Sequence, residues 1–390
     1  MLRTYSRLKG SLGRKSRRRT RSERERPLMA SSGTASACPR GRFAWKLRLR
    51  TCGLGLCVLF GGCIPAHAQE NLSPRTDPPL ILTGTIALPN VAGRIDHFAL
   101  DPGGRIFVCV IGNDTVEVLE TLTEKRVHTI MGVPHPQGVL YVPEFKKLFV
   151  GSRDGKLFVF DGTSFNLLAS IDFHDDVDNL RYDGAAKLVF AAYGDGDTAG
   201  IAMIDAATNQ RLKDEFKTGA HPESFQLESS GPRIFVNLPD SKEIAVINRA
   251  THAITRWPFI KMDGNFPMAL DEADHRLFIG TRTPPRLVVL DTDSGHVVTT
   301  IRTAADMDDL YYDSVFKRVY VPGGQGFISV FEQSDADHYH LLADIPSALG
   351  ARTAGYAAKI GKKGRDRFYL GVPARSGQSS AEVWIYQAQE

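Results

Sequence analysis

The chain has 390 residues, 42% hydrophobic and 24% charged, the balance of an ordinary soluble globular protein. Its formal charge of +4 misleads: of 48 Lys and Arg and 44 Asp and Glu, residues 1–68 hold 16 and 2, leaving 32 and 42 beyond, a net of −10. An acidic body repels phosphate backbones, so no nucleic-acid partner is expected.

The basic excess belongs to a leader. After Lys46-Leu47-Arg48-Leu49-Arg50 comes an apolar run over 53–64, then Ala66-His67-Ala68 before Gln69. A basic stretch, a short apolar run and an A-x-A site describe a secretory signal peptide cleaved near Ala68, which implies a periplasmic or secreted protein. The run is too short to span a bilayer, so no transmembrane helix is expected in the mature chain. The nearly 50 residues ahead of it are long for a leader, and Met29 offers a second start. Two readings fit less well: lipidation of Cys63, against which Phe60 stands, and a twin-arginine signal at Arg17-Arg18-Arg19, far upstream of the run. Four of five cysteines, Cys38, Cys52, Cys57 and Cys63, fall in this region, so the remainder has no internal disulfide or cysteine zinc site. Cys109 follows Phe107-Val108 in a strand and reads as a small buried hydrophobe.

Residues 69–79 are polar and proline-containing, a tether, and 80–87 read as a strand with no partner at that end. Beyond it, one motif repeats seven times: a basic residue and three apolar or aromatic ones. The copies begin at Arg105, Lys147, Lys187, Arg233, Arg276, Arg318 and Arg367, at spacings of 42, 40, 46, 43, 42 and 49. Each is followed by a second β-branched or aromatic run, from Val116-Glu117-Val118-Leu119-Glu120 to Val383-Trp384-Ile385-Tyr386-Gln387. Such runs are too short for helices. Where the second run ends in Asp or Asn, as at Asp161, Asp205, Asn248 and Asp291, a Ser or Thr two or three residues on marks a tight turn into another strand. A fourth strand precedes each basic residue, as at Val177 to Asp183. Four strands per period of about 40 to 50 residues make a propeller blade. The last repeat ends after three strands, so the 80–87 strand is expected to supply the fourth, closing an all-β, seven-bladed propeller over 80–390.

The pattern of basic, apolar, aromatic, Val, a Gly-rich gap, then apolar-x-Val-apolar-Asp resembles the YVTN or YncE-like propeller repeat within the WD40/YVTN-like group. It spans the chain from Leu80 to Gln387, although no copy spells the signature fully; Tyr320-Val321-Pro322-Gly323 and Phe235-Val236-Asn237-Leu238 come nearest. The resemblance implies the fold. It implies no single activity, because similar propellers serve many roles.

In a propeller the connection entering the innermost strand of each blade sits on one rim. These entries contain Arg94, Asp96 and His97; His135 and Gln137; Asp178 and Asn179; His221 and Glu223; Asn265; Asp308 and Asp309; and Arg352. Asp96, Asp178, Glu223 and Asp308 occupy equivalent positions, which predicts carboxylates converging on one channel mouth. They would suit a divalent cation such as calcium, or a transition metal with His97, His135 or His221. The plainer alternative is that rim loops are polar because they meet water.

Elsewhere, Tyr193-Gly194-Asp195-Gly196-Asp197 bridges two strands and reads as a hairpin loop. His338 and His340 read as a surface hairpin, and Lys359, Lys362, Lys363 and Arg365 as solvated charge. There is no G-x-S-x-G elbow, Walker loop or H-E-x-x-H, and Trp257 and Trp384 alone cannot form tryptophan docking of the quinoprotein kind. The expected role is non-catalytic binding or scaffolding, as a monomer, through the charged rim to a protein or small polar ligand. A metal-assisted lactonase or hydrolase is the alternative, with Asp178 or Glu223 as ligand and a rim histidine as base. A haem-handling role, needing an axial histidine, is the third.

Overall fold

The computed structural model describes residues 77–259, 261–360, 365–375 and 380–389; side chains over 358–365 are not described. The leader, most of the tether and the side chains of Lys359, Lys362, Lys363 and Arg365 therefore lie outside the described residues. Among those residues no helix is long and apolar enough to cross a membrane.

Seven four-stranded antiparallel sheets form a ring, a seven-bladed β-propeller. Blades one to six use consecutive strands over 98–131, 136–172, 177–217, 225–258, 263–302 and 311–346. Blade seven has three strands over 354–388, and the N-terminal strand Leu80–Leu88 pairs antiparallel with Ala381–Ala388 to complete it. The core is distributed, one apolar cluster between each pair of neighbouring blades. Phe107, Val118, Val139 and Phe158 fill the gap between blades one and two. Ile86, Ile106, Tyr369 and Val383 fill the gap where the ring closes.

The repeated basic residue ties neighbouring blades together by reaching across to the turn that follows the third strand of the next blade. Arg105 Nη1 donates to the Gly162 carbonyl at 2.5 Å, Lys147 Nζ to Ala206 at 2.9 Å, Arg233 Nη1 to Thr292 at 2.5 Å and Arg276 Nε to Ala336 at 2.9 Å. Arg318 donates to the Gln389 carbonyl, and Arg367 meets Glu124 Oε1 at 3.1 Å across the closure. Charge-assisted bonds to carbonyls that would otherwise cap a turn unpaired contribute about 1.5–3 kcal/mol each.

Blade three departs from the predicted frame. Leu188, opposite Asp183, holds the register place that Arg105 holds opposite Asp101. Lys187 instead sits one residue earlier, in the turn at φ +60°, and pairs with Glu144 at 2.7 Å. The cation comes from the other side: Arg249, first after the third strand of blade four, donates to Asp183 Oδ2 at 2.5 Å. The predicted Asx turns are present, with Asp161 Oδ1 accepting from the Ser164 amide at 2.7 Å and Asp205 Oδ1 from the Thr208 amide at 2.7 Å.

Candidate functional site

The mouth is built by a distortion repeated around the ring. Where the innermost strand enters the blade, two of its residues oppose one on the second strand, a β-bulge. Gln137 and Gly138 face Gly151, Asp178 and Asn179 face Ala192, and Phe266 and Pro267 face Gly280. In blade one the Asp96 amide donates to Cys109 O while the Cys109 amide donates to His97 O; Glu223, Ser224 and Asn237 repeat that pattern in blade four. Bulges re-aim side chains, and here they bring rim residues to the channel. Gly138 permits the close approach this needs, since a Cβ there would lie 1.5 Å from the Asp178 carbonyl oxygen. Cys109 is buried, as expected.

Two chambers follow one another along the channel, sharing His97, Asn179 and Ser224 as a common wall. The mouth chamber, about 180 Å³, takes residues from all seven blades, among them Arg94, Gln137, Asp178, Glu223, Phe266, Asp308 and Arg352. The deeper one, about 330 Å³, is lined by Arg181, Gln226, Asp309, Tyr311 and apolar side chains including Phe98, Leu180 and Met268.

The four equivalent acids meet different partners. Asp308 is enclosed by guanidinium groups: Arg94 Nη2 at 3.3 Å, Arg352 Nε at 2.9 Å, and Arg282 in direct contact. Asp96 lies behind Arg94, 3.0 Å from its Nη2 and 1% exposed. Burial, opposed by His97 and Arg94, leaves its carboxyl raised to about 6. Asp178 and Glu223 instead meet His221, with one ligand atom of each within 4.8 Å of the others. Of the predicted metal set Asp96, Asp178, Glu223 and Asp308, Asp96 is therefore paired with Arg94 of its own entry loop and Asp308 with arginines of three other blades, while Asp178 and Glu223 stand beside His221.

His97 links the two chambers. Its Nδ1 lies 3.1 Å from Asp309 Oδ1 and its Nε2 3.4 Å from Asp178 Oδ1. Burial opposes its charge, yet Asp309 and Asp178 prevail and raise its pKa well above the usual range. Burial would likewise raise Asp178, but the neighbouring His97 holds it below the ordinary carboxylate range. Burial and the charges of Asp178 and Asp308 push Glu223 well up, and burial with Asp178 raises Asp176 to about 7. Asp309 is fixed by the Ala354 amide at 2.8 Å and belongs to the deeper chamber.

Two predicted rim residues are elsewhere. His135 does not line either chamber; it is half-exposed at φ +42° and pairs with Asp154 at 3.0 Å. Asn265 lies in the strand Asp263–Asp271 rather than a loop and is fully buried, donating to Asn237 Oδ1 and the Glu243 carbonyl to bolt blades four and five together. His338 pairs with Asp335 and His340 with Glu332, both exposed, and the 193–200 segment is a hairpin with a 3₁₀ turn at Gly196–Thr198.

Sequence reasoning missed Arg153, Arg181 and Arg282. Arg153 and Arg282 lie where the second strand turns into the third, which in an antiparallel blade is the same rim as the entry loops, so that topology was the available signal. Arg181 alternates with Asn179 along a channel-lining strand.

No protein-family model matches the chain, and no curated protein matches it. Among solved structures, a chain from a crystal structure of a mitotic checkpoint complex is similar with a TM-score of 0.65, at 12% identity, over 88% of this chain and 100% of that one. At that identity the likeness shows the fold alone.

Proposed function

We propose that this chain is an exported, YVTN/YncE-like binding propeller whose channel takes a small polar ligand carrying an anionic group. The leader with its Ala66-His67-Ala68 site supports export, and the repeat supports the family reading.

The observation that carries the ligand class is Arg181. Its Nη1 donates to its neighbour's carbonyl, Leu180 O, at 2.8 Å and its Nη2 meets Ser224 Oγ at 3.3 Å, and among the described residues no carboxylate lies within ion-pair distance of it. A guanidinium lining the chamber with no carboxylate in direct contact is costly, and burial, only partly offset by the more distant Asp309 and Asp178, lowers its pKa. A ligand carboxylate or phosphate, held bidentately, would remove that cost.

The test is thermal denaturation against a panel of small carboxylates, amino acids and phosphate esters. A ligand at about a hundred times its Kd stabilises by roughly 2.7 kcal/mol. At least one anion is expected to raise the wild-type midpoint and to leave Arg181→Met unmoved. A wild-type protein indifferent to every anion, or an Arg181→Met variant that responds equally, would overturn the reading.

A further inference from the structure

The geometry points to a transition-metal site at the channel mouth, formed by Asp178, His221 and Glu223, binding one first-row dication of the zinc or manganese class. It goes beyond the ligand-binding reading, since the ion would occupy the mouth chamber and the anion site lies below it.

Three features independent of one another carry it. The first is spacing. His221 Nε2 and Glu223 Oε1 are 3.8 Å apart, and one ligand atom from each of the three residues falls within 4.8 Å of the others. Two atoms bound to one ion at about 2.1 Å can be no more than about 4.2 Å apart. That is the limit for two atoms on opposite sides of the ion; around a tetrahedral ion they stand about 3.4 Å apart, so the widest pair would close by up to about 1.4 Å, a shift that side-chain rotation supplies.

The second is the orientation of His221. Its Nδ1 lies 2.7 Å from the Gly194 carbonyl, which can only accept, so Nδ1 carries the hydrogen and a neutral ring leaves the Nε2 lone pair toward Glu223. This is the outer hydrogen bond that metal-binding histidines use to fix ring and tautomer. Gly194 supplies that carbonyl from φ +79°, where a side chain would be strained.

The third is unmet acceptor capacity. Asp178 is 7% exposed, lines the mouth, and its Oδ1 has no hydrogen-bond partner in the protein, His97 Nε2 standing off at 3.4 Å. Gln137 Oε1 and Asp176 Oδ1, on the same chamber, are likewise buried without a donor. Buried acceptors in this number call for a partner that the arginines lining the chamber do not supply, a donor or a cation. A set containing nitrogen, with three protein ligands, suits zinc or manganese better than calcium, which takes six to eight oxygens.

The experiment is calorimetric titration of chelator-treated, desalted full-length protein with Zn(II), Mn(II) and Ca(II), each alone. One equivalent of Zn(II) or Mn(II) is expected to bind, more tightly than Ca(II). His221→Ala and the near-isosteric Glu223→Gln should each weaken it by about a hundredfold or more, and His135→Ala should leave it unchanged. Far-UV circular dichroism and the melting midpoint confirm that each variant is folded; if His221→Ala is not, Glu223→Gln alone decides. No heat at millimolar ion, calcium binding tighter than zinc and manganese, or affinities unaffected in the folded variants would overturn the site. Arg181→Met should retain full metal affinity, so loss of the anion response and loss of the metal are separate results.

Discussion

Equivalent acids acquire different chemistry from whichever neighbours reach them. Asp308 is held by three arginines, Asp96 by one, and Asp178 and Glu223 face a histidine. The same rule operates at the blade four–five junction. Glu272 accepts from the Ser229 amide at 2.8 Å and from the Ser230 amide at 2.7 Å. Partial burial would raise its pKa, but the Ser230 hydroxyl and these amides pull it to about 2 from an ordinary 4.5. A depressed folded-state pKa gives stability that is present above 4.5 and is lost as pH falls toward about 2. Glu272→Gln should therefore lower the denaturant midpoint at neutral pH, with the gap to wild type narrowing below about 4.5 and closing near 2. A gap that stays constant across that range would show that the carboxylate charge plays no part. The rim acids were legible in the sequence because the bulge recurs at one position in the repeat. Their pairing was not, since Arg282 and Arg352 come from the two flanking blades, 26 and 44 residues away in the chain, and only folding sets them beside Asp308.

The strand pair shows how far a repeat can be read. Arg105 and Arg233 can be placed at the start of a strand, but their reach to the Gly162 and Thr292 carbonyls depends on how blades stack. Aligning the repeat on its basic residue sets blade three one residue early, because Lys187 stands where a basic residue is expected. The correcting signal is in the chain itself: the buried aromatic stands two residues after Arg105 and Arg233, at Phe107 and Phe235, but three after Lys187, at Phe190. The frame therefore begins at Leu188, and Arg249 bridges in the reverse direction. Arg249→Gly should cost about 1.5–3 kcal/mol in urea unfolding, comparable to Arg233→Ala. Adding Leu188→Arg to Arg249→Gly restores the ordinary polarity of the bridge and should recover part of the loss. If the double variant is no more stable than Arg249→Gly, the equivalence of positions 188 and 105 does not extend to energetics.

At the scale of the ring, stability depends on a strand drawn from the far end of the sequence. Leu80–Leu88 supplies the outer strand of blade seven, and Leu80, Ile86 and Leu88 are buried at 2%, 1% and 0% exposure. Ile86 and Leu88 join Ile106 and Val383 in the cluster between blades seven and one, while Leu80 packs with Tyr320 and Tyr386 between blades six and seven. One strand therefore bears on two blade interfaces. Its loss would uncover both apolar clusters and leave the backbone of Ala381–Ala388 as an unpaired edge, which invites association with another chain. A chain beginning at residue 89 should consequently elute as oligomers or aggregate in size-exclusion chromatography, with a broadened unfolding transition. A synthetic peptide covering 77–90 should restore the monomeric peak and sharp melting in trans, whereas the same peptide with Ile86→Asp should not. A truncated chain that stays monomeric with unchanged melting would mean that blade seven stands on three strands, and that the closure adds sheet without adding stability.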